Sequence, residues 1–277
     1  MILGVDAGNS SIKICSQFGL LKFPSAIGEA RELNLKQQHG EDDIYFEHNG
    51  RKGFAGTLAL YESEFCGSIM GDSKAHSDTL LRVLIGIHKY LTKYRLNYNR
   101  FKLVLGQPIS KHTQEEKEFI KTMVKGSHTI SVNGVEKTFY ILDCQIAAEG
   151  ASSYYSSLSH EGLVRILDIG SATINYATIL DNKFIDKDSG TLSFGCNTNK
   201  SNDLYQMARG IVSNVSKKWS REDTVLIVGG ISETACSYLS AYFPNANQLL
   251  PIHNNEYADS IYANAVAFYN IGVSIYE

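Results

Sequence analysis

The sequence has no apolar run approaching the roughly eighteen residues that a helical membrane span needs. Met1 to Val5 read directly as a strand, so no signal peptide is expected and a cytoplasmic protein without membrane partners is. A basic surface is also missing. The 26 Lys and Arg residues stand against 29 Asp and Glu, a formal charge of -3, with no cluster that could neutralise several phosphates. Direct DNA binding is therefore not expected. The five cysteines, Cys15, Cys66, Cys144, Cys196 and Cys236, include no Cys-x-x-Cys pair, which argues against zinc or redox chemistry and for a reducing compartment. The eight histidines lack metal-ligand spacing, so His76, His88 and His253 read as surface or partly buried residues. No linker, charge block or low-complexity tract interrupts the chain.

What is present is enough apolar material for a sizeable core: 277 residues, 43% hydrophobic and 20% charged, fit one large or two coupled domains. Met1 to Val5 is an apolar run that breaks at Asp6-Ala-Gly-Asn-Ser-Ser, resumes at Ile12 to Ser16 and turns near Gly19 into Leu20 to Phe23. The pattern recurs. Val164 to Leu167 breaks at Asp168-Ile-Gly-Ser-Ala-Thr, resumes at Ile174 to Leu180 and turns at Asp181-Asn182 into Lys183 to Asp186. Two such three-stranded meanders suggest two related domains, each offering a turn to one ligand in a shared cleft.

Between the meanders lies a polar, irregular stretch with a hairpin expected at Asn49-Gly50, then a helix from about Asp78 to Tyr94 with apolar residues at helical spacing. Lys102 to Leu105 reads as a buried strand ending in Gly106-Gln-Pro108. Thr113 and Glu116 have capping-box spacing for a helix that Gly126 should stop. Thr129 to Val132 and Val135 to Tyr140 flank Asn133-Gly134 as a tight hairpin, and Ala147 to Ser157 reads as a helix. After the second meander the spacing predicts a helix from Leu204 to Val215, a strand over Thr224 to Val228, and helices from about Ser232 and Tyr257.

In the first turn, Gly8 permits a tight bend whose backbone N–H groups, with Asn9 and the hydroxyls of Ser10 and Ser11, can converge on phosphate oxygens, and Lys13 adds a positive charge. Asp6 would repel a bare phosphate and makes sense if it orients water around magnesium; an ordinary Asp-Gly hairpin is the plainer alternative. The second turn repeats the Asp-x-Gly core, with Gly170, Ser171, Ala172 and Thr173 after Asp168, so two loops could clamp one polyphosphate and share the metal. Neither is a Walker sequence. Gly229-Gly230, followed by Ile231, could let the backbone lie against a base or ribose, although diglycine turns also have purely local causes. Glu149, among Ala147, Ala148 and Gly150, has room to position an attacking water, or is a surface residue at a helix start.

Asp6-x-Gly with Lys13, Asp168-x-Gly-x-x-Thr173 and Gly229-Gly230, in that order, resemble the two phosphate motifs and the adenosine motif of the actin, Hsp70 and sugar-kinase superfamily. Phe23-Pro24-Ser25, Gly106-Gln-Pro108, Val132-Asn-Gly134, Glu149-Gly150 and Ala263-Asn264-Ala265 resemble the ParM/StbA group of plasmid-segregating bacterial actins, across nearly the whole chain. Gln107, where that group more often has Leu, and Asn9, where Gly or Ser is common, are departures. The resemblance implies an α/β, actin-like ATPase fold of the duplicated ribonuclease H-like kind, with residues 1–150 as domain I, 151–256 as domain II and the terminal helix, 257–277, returning to domain I. About thirty residues separate Gly195 from Gly229, so subdomain IIB is expected to be missing or vestigial, as in compact members of the group.

The same resemblance implies ATP or GTP with Mg2+ held through Asp6 and Asp168, hydrolysis assisted by Glu149, and head-to-tail assembly into helical filaments. It also implies a DNA-binding adaptor, which agrees with the missing basic patch. Two alternatives stay open. The opening Met1-Ile-Leu-Gly-Val-Asp-Ala-Gly-Asn-Ser also looks like that of type III pantothenate kinases, although no second-substrate loop follows the second meander. A nucleotide switch without turnover is the other.

Overall fold

The first meander forms as β1 (Ile2–Ala7), β2 (Ser11–Ser16) and β3 (Gly19–Pro24), in a computed structural model that describes residues 1–66, 73–158, 161–198 and 203–277. Residues 67–72, part of the expected polar stretch, lie outside the described residues. There follow β4 (Ile27–Glu29), β5 (Asp43–His48), β6 (Arg51–Ala55), α1 (Gly56–Glu62), α2 (Ser77–Lys93), β7 (Arg100–Gln107), α3 (Gln114–Val124), β8 (Gly126–Val132) and β9 (Val135–Ala148). The nine strands make one mixed sheet in the order β3-β2-β1-β7-β9-β8-β5-β6-β4, with β1, β7 and β9 parallel at its centre.

A central strand covered on both faces must be apolar throughout, which explains the unbroken run at the start of the chain. On one face Leu3 and Val5 share a core with Ile12, Ile14 and the α2 residues Leu81, Leu84, Ile87 and Leu91. The polar residues that α2 buries are partnered: Arg82 Nε donates to the Ser25 carbonyl at 3.1 Å, and Asp78 pairs with Arg51 at 3.1 Å.

The second meander forms as β10 (Leu163–Ile169), β11 (Ile174–Leu180) and β12 (Lys183–Phe184), with β13 (Gly190–Leu192) also on β11. Next come α4 (Leu204–Val215), β14 (Thr224–Val228), α5 (Ser232–Leu239) and β15 (Ala246–Gln248). β14 lies parallel to β10, as β7 lies parallel to β1, so both sheets repeat the same local topology. The core of the second sheet holds Leu167, Ile169, Met207, Ile211, Trp219, Leu239 and Phe243. Between Gly195 and Gly229, α4 and β14 are the only regular elements among the described residues.

Two expected helices differ. Ala147 and Ala148 continue β9, paired with Gly106 and Gln107, and the segment read as a helix to Ser157 is instead a 3-10 helix over Ala151–Ser156. The cause is Gly150, whose φ of 73° lies outside helical space. The terminal helix begins at Ala263, not Tyr257. Residues 252–257 form a small hairpin of β16 (Ile252–His253) and β17 (Glu256–Tyr257), turning on Asn254 and Asn255 at positive φ, and α6 (Ala263–Tyr276) follows a short 3-10 turn. α6 packs on β1, β2 and β7, on the face of β1 opposite α2, through Ala265, Val266 and Phe268. The capping box is half formed: Thr113 Oγ1 accepts from Glu116 N–H at 3.3 Å, while Glu116 turns its carboxylate elsewhere.

Candidate functional site

The two meander turns meet across one cavity of about 270 Å³. Its walls include every residue read from the sequence as part of the nucleotide site: Asp6, Gly8, Asn9, Ser10, Ser11 and Lys13 on one side, and Asp168 with Gly170, Ser171, Ala172 and Thr173 on the other. Glu149, Gly229, Gly230 and Ile231 complete that set.

The first turn owes its shape to register. Asp6 and Lys13 are cross-strand partners, which puts Lys13 Nζ 3.1 Å from Asp6 Oδ2. The turns match in detail. A Cβ on Gly8 would lie 2.9 Å from the Ser11 carbonyl oxygen, and one on Gly170 would lie 2.8 Å from that of Thr173, so both bends exclude a side chain for the same reason. Cys196 and Asn197 run beside the second turn, their N–H groups donating to the carbonyls of Gly170 at 3.0 Å and Ser171 at 2.8 Å.

Glu149 is not a surface residue at a helix start. It is 7% exposed at the sharp bend after β9, with its N–H donating to the Gln107 carbonyl at 2.9 Å. Its carboxylate is in contact with the ammonium of Lys74, which also lies 3.5 Å from Asp6 Oδ1. Asn264, at the start of α6, donates from Nδ2 to Asp168 Oδ2 at 3.0 Å and accepts the Gly150 N–H at 3.1 Å. Lys74 and Asn264 line the cavity and are candidate-site residues that sequence reasoning missed. Asn264 lay inside the Ala-Asn-Ala motif without a role, whereas nothing in the sequence marked Lys74.

Three buried carboxylates thus face two lysines. Burial would raise Asp6, but Lys13 and Lys74 outweigh it and hold this carboxyl below its ordinary value. Asp168 is raised by burial despite the Asn264 hydrogen bond. Burial pushes Glu149 up to about 6 against the pull of Lys74. Burial would lower Lys74, yet Glu149 and Asp6 more than offset it, so the ammonium stays charged.

The donor set suits a hydrated divalent cation better than a fully protein-ligated one. Among the described residues no group of three or more His, Cys, Asp or Glu side chains converges to hold a metal ion. Asp6 and Asp168 offer carboxylate oxygens from opposite walls, the arrangement by which Mg2+ is held through its water shell. The cavity also fits a polar organic ligand. Ser260 Oγ, on its wall, is buried and has no hydrogen-bond partner among the described residues. Such groups are uncommon, and this hydroxyl is available to a polar ligand.

The family model for the N-terminal domain of actin-like proteins matches residues 4–151, a little over half of the chain. The AlfA filament bound to AMPPNP is similar at 19% identity with a TM-score of 0.77, over 96% of this chain and 94% of that one. AlfA from the B. subtilis plasmid pLS32, in its filament, is 20% identical with a TM-score of 0.78, over 96% and 97%. Apo ParM from psk41 is 16% identical with a TM-score of 0.74, over 99% and 97%. No curated protein sequence matches. At these identities the solved structures speak to the fold, which is the actin-like one. With its amino-terminal half matched by the family model and both sheets superposing on actin-like subunits, the chain belongs to the actin-like protein family.

Proposed function

We propose that the protein is a cytoplasmic, nucleotide-dependent filament former and ATPase that segregates plasmid DNA through a DNA-binding adaptor. The observation that carries this reading is the pair of matching turns, each headed by a buried carboxylate, that face one cavity with Glu149 between them. Residues 1–150 would act as domain I, with α6 returning to it, and 151–256 as domain II with subdomain IIB reduced or absent. The N–H groups and hydroxyls of the two turns, with Lys13, would hold the phosphates of ATP or GTP. Gly229, Gly230 and Ile231 would flank the nucleoside. Asp6 and Asp168 would hold Mg2+ through water; bound there, the ion neutralises phosphate charge. Glu149, buried and raised to about 6, is suited to orient a water and accept its proton near neutral pH.

Self-assembly would be head to tail, because a heterologous contact that does not close yields an open polymer. The adaptor is what the resemblance to plasmid-segregating actins implies, and a formal charge of -3 without a basic cluster agrees with it. One observation favours a second reading, a switch with little turnover: Lys74 occupies Glu149 in this structure.

The test is sedimentation of the purified protein with Mg2+ and ATP, ADP or no nucleotide, with electron microscopy of the pellet. Polymer is expected with ATP, and none under any condition would remove the filament reading. Asp168→Ala should weaken binding of the magnesium nucleotide, and Glu149→Ala should leave binding intact while slowing phosphate release. ATPase unchanged in both would contradict the roles assigned to them. Filaments without measurable turnover in the wild type would favour the switch.

A further inference from the structure

Lys74 has no part in the roles above, yet the fold is built to hold it in the cleft. Its side chain is 8% exposed, and an ammonium at that depth is costly unless paired. The backbone that carries it is fastened to the first sheet: Lys74 N–H donates to Gln107 Oε1 at 3.1 Å. Gln107 Nε2 in turn donates to Glu116 Oε2 at 2.9 Å, and Ser73 Oγ donates to the same oxygen at 2.6 Å. Gln107 is fully buried, so the departure at this position has a structural use: its amide places the backbone of Lys74.

Where it stands, the ammonium competes with the role read above for Glu149. It holds Oε1, one of the two oxygens with which that carboxylate could orient a water. It also lies 3.5 Å from Asp6, adding to the charge of Lys13 beside the place read for a hydrated divalent cation. Both contacts can be exchanged for an added anion beside Glu149, and a lysine on a flexible four-carbon stem can make that change without moving its backbone.

We propose that Lys74 reads the terminal phosphate: without it Lys74 closes on Glu149 and Asp6, and with a triphosphate bound its ammonium transfers to the terminal phosphate and frees both carboxylates. This rests on the nucleotide reading of the cleft. A diphosphate offers no such partner, so Lys74 would stay on Glu149 and the state of the nucleotide would be written into one ion pair.

The experiment is equilibrium binding of Mg·AMPPNP and Mg·ADP, by calorimetry, to the full chain and to Lys74→Ala. Affinity for Mg·AMPPNP should fall by about tenfold or more, the size expected for loss of a charge-assisted hydrogen bond, while that for Mg·ADP stays within about threefold. Lys74→Arg should keep part of the preference for AMPPNP. Should Lys74→Ala not fold, the comparison of Lys74→Ala/Glu149→Gln with Glu149→Gln gives the same ratio without leaving Glu149 as an unpaired carboxylate. An equal change for both nucleotides, or none, overturns the proposal. A wild type that binds neither nucleotide removes the reading of the cleft itself, a failure visible before any variant is compared.

Discussion

Asn264 makes two hydrogen bonds at the cavity, one to a buried carboxylate and one to a buried backbone N–H. Truncation to Ala would leave Asp168 with Asn175 as its remaining side-chain donor and the Gly150 N–H without its acceptor. The expected loss is about 1–3 kcal/mol in urea unfolding. Asn264→Asp is expected to be worse, since it sets a second carboxylate against one that burial already raises. A loss below about 0.5 kcal/mol in both variants, the ordinary range for a surface change, would show that the bonds carry little. The residues of the two turns were legible because an Asp-x-Gly break after an apolar run constrains local geometry, and because the pattern recurs. Lys74 and Asn264 were not legible as site residues, for they reach the cavity from segments far away in sequence and only tertiary packing brings them there.

Among elements, α2, β8 and the turn before α3 each set a buried or half-buried histidine against a backbone carbonyl. His88 Nε2 lies 2.9 Å from the Val135 oxygen, His112 Nε2 3.0 Å from that of Ile146, and His128 Nε2 2.8 Å from that of Val124. Burial lowers all three below the ordinary histidine value, and His48, with its ring 6.1 Å from that of His128, lowers His128 further. A histidine lowered in the folded state binds its proton more readily when unfolded, so its contribution is present above about pH 6.5 and is lost as pH falls. Glu149, raised to about 6, runs the other way: its contribution is present in acid and is lost as pH rises through that value. The urea midpoint of His128→Gln should therefore fall less than that of the wild type between pH 7 and pH 5. Parallel pH curves would contradict this.

The same scale explains which elements were readable. Asn49-Gly50, Asn133-Gly134 and Asp181-Asn182 all adopt paired positive φ angles, because those residue pairs favour one turn geometry locally. The end of β9 was misread, since Ala147 and Ala148 have no strand preference of their own and are strand only because β7 pairs with them.

At the scale of the molecule, the two sheets are joined near the cavity by a few polar contacts besides Asn264. The Ile109 N–H donates to Asn175 Oδ1 at 3.3 Å and the Ser110 N–H to Thr191 Oγ1 at 3.1 Å, so residues just after β7 are tied to β11 and β13. These are single hydrogen bonds at part-buried or exposed positions, worth about 1 kcal/mol each. A ligand held by both turns would add a link stronger than any of them. At about one hundred times its Kd, a ligand that binds only the folded chain contributes about 2.7 kcal/mol, which for a chain of this size raises Tm by about 5 °C. Because the link needs both turns, Asp168→Ala should lose most of the shift produced by Mg·ADP, although Asp6, Gly8 and Lys13 remain intact across the cavity. If the variant kept the full shift at the same ligand concentration, the nucleotide would be held by the first turn alone. The two sheets would then not share one ligand.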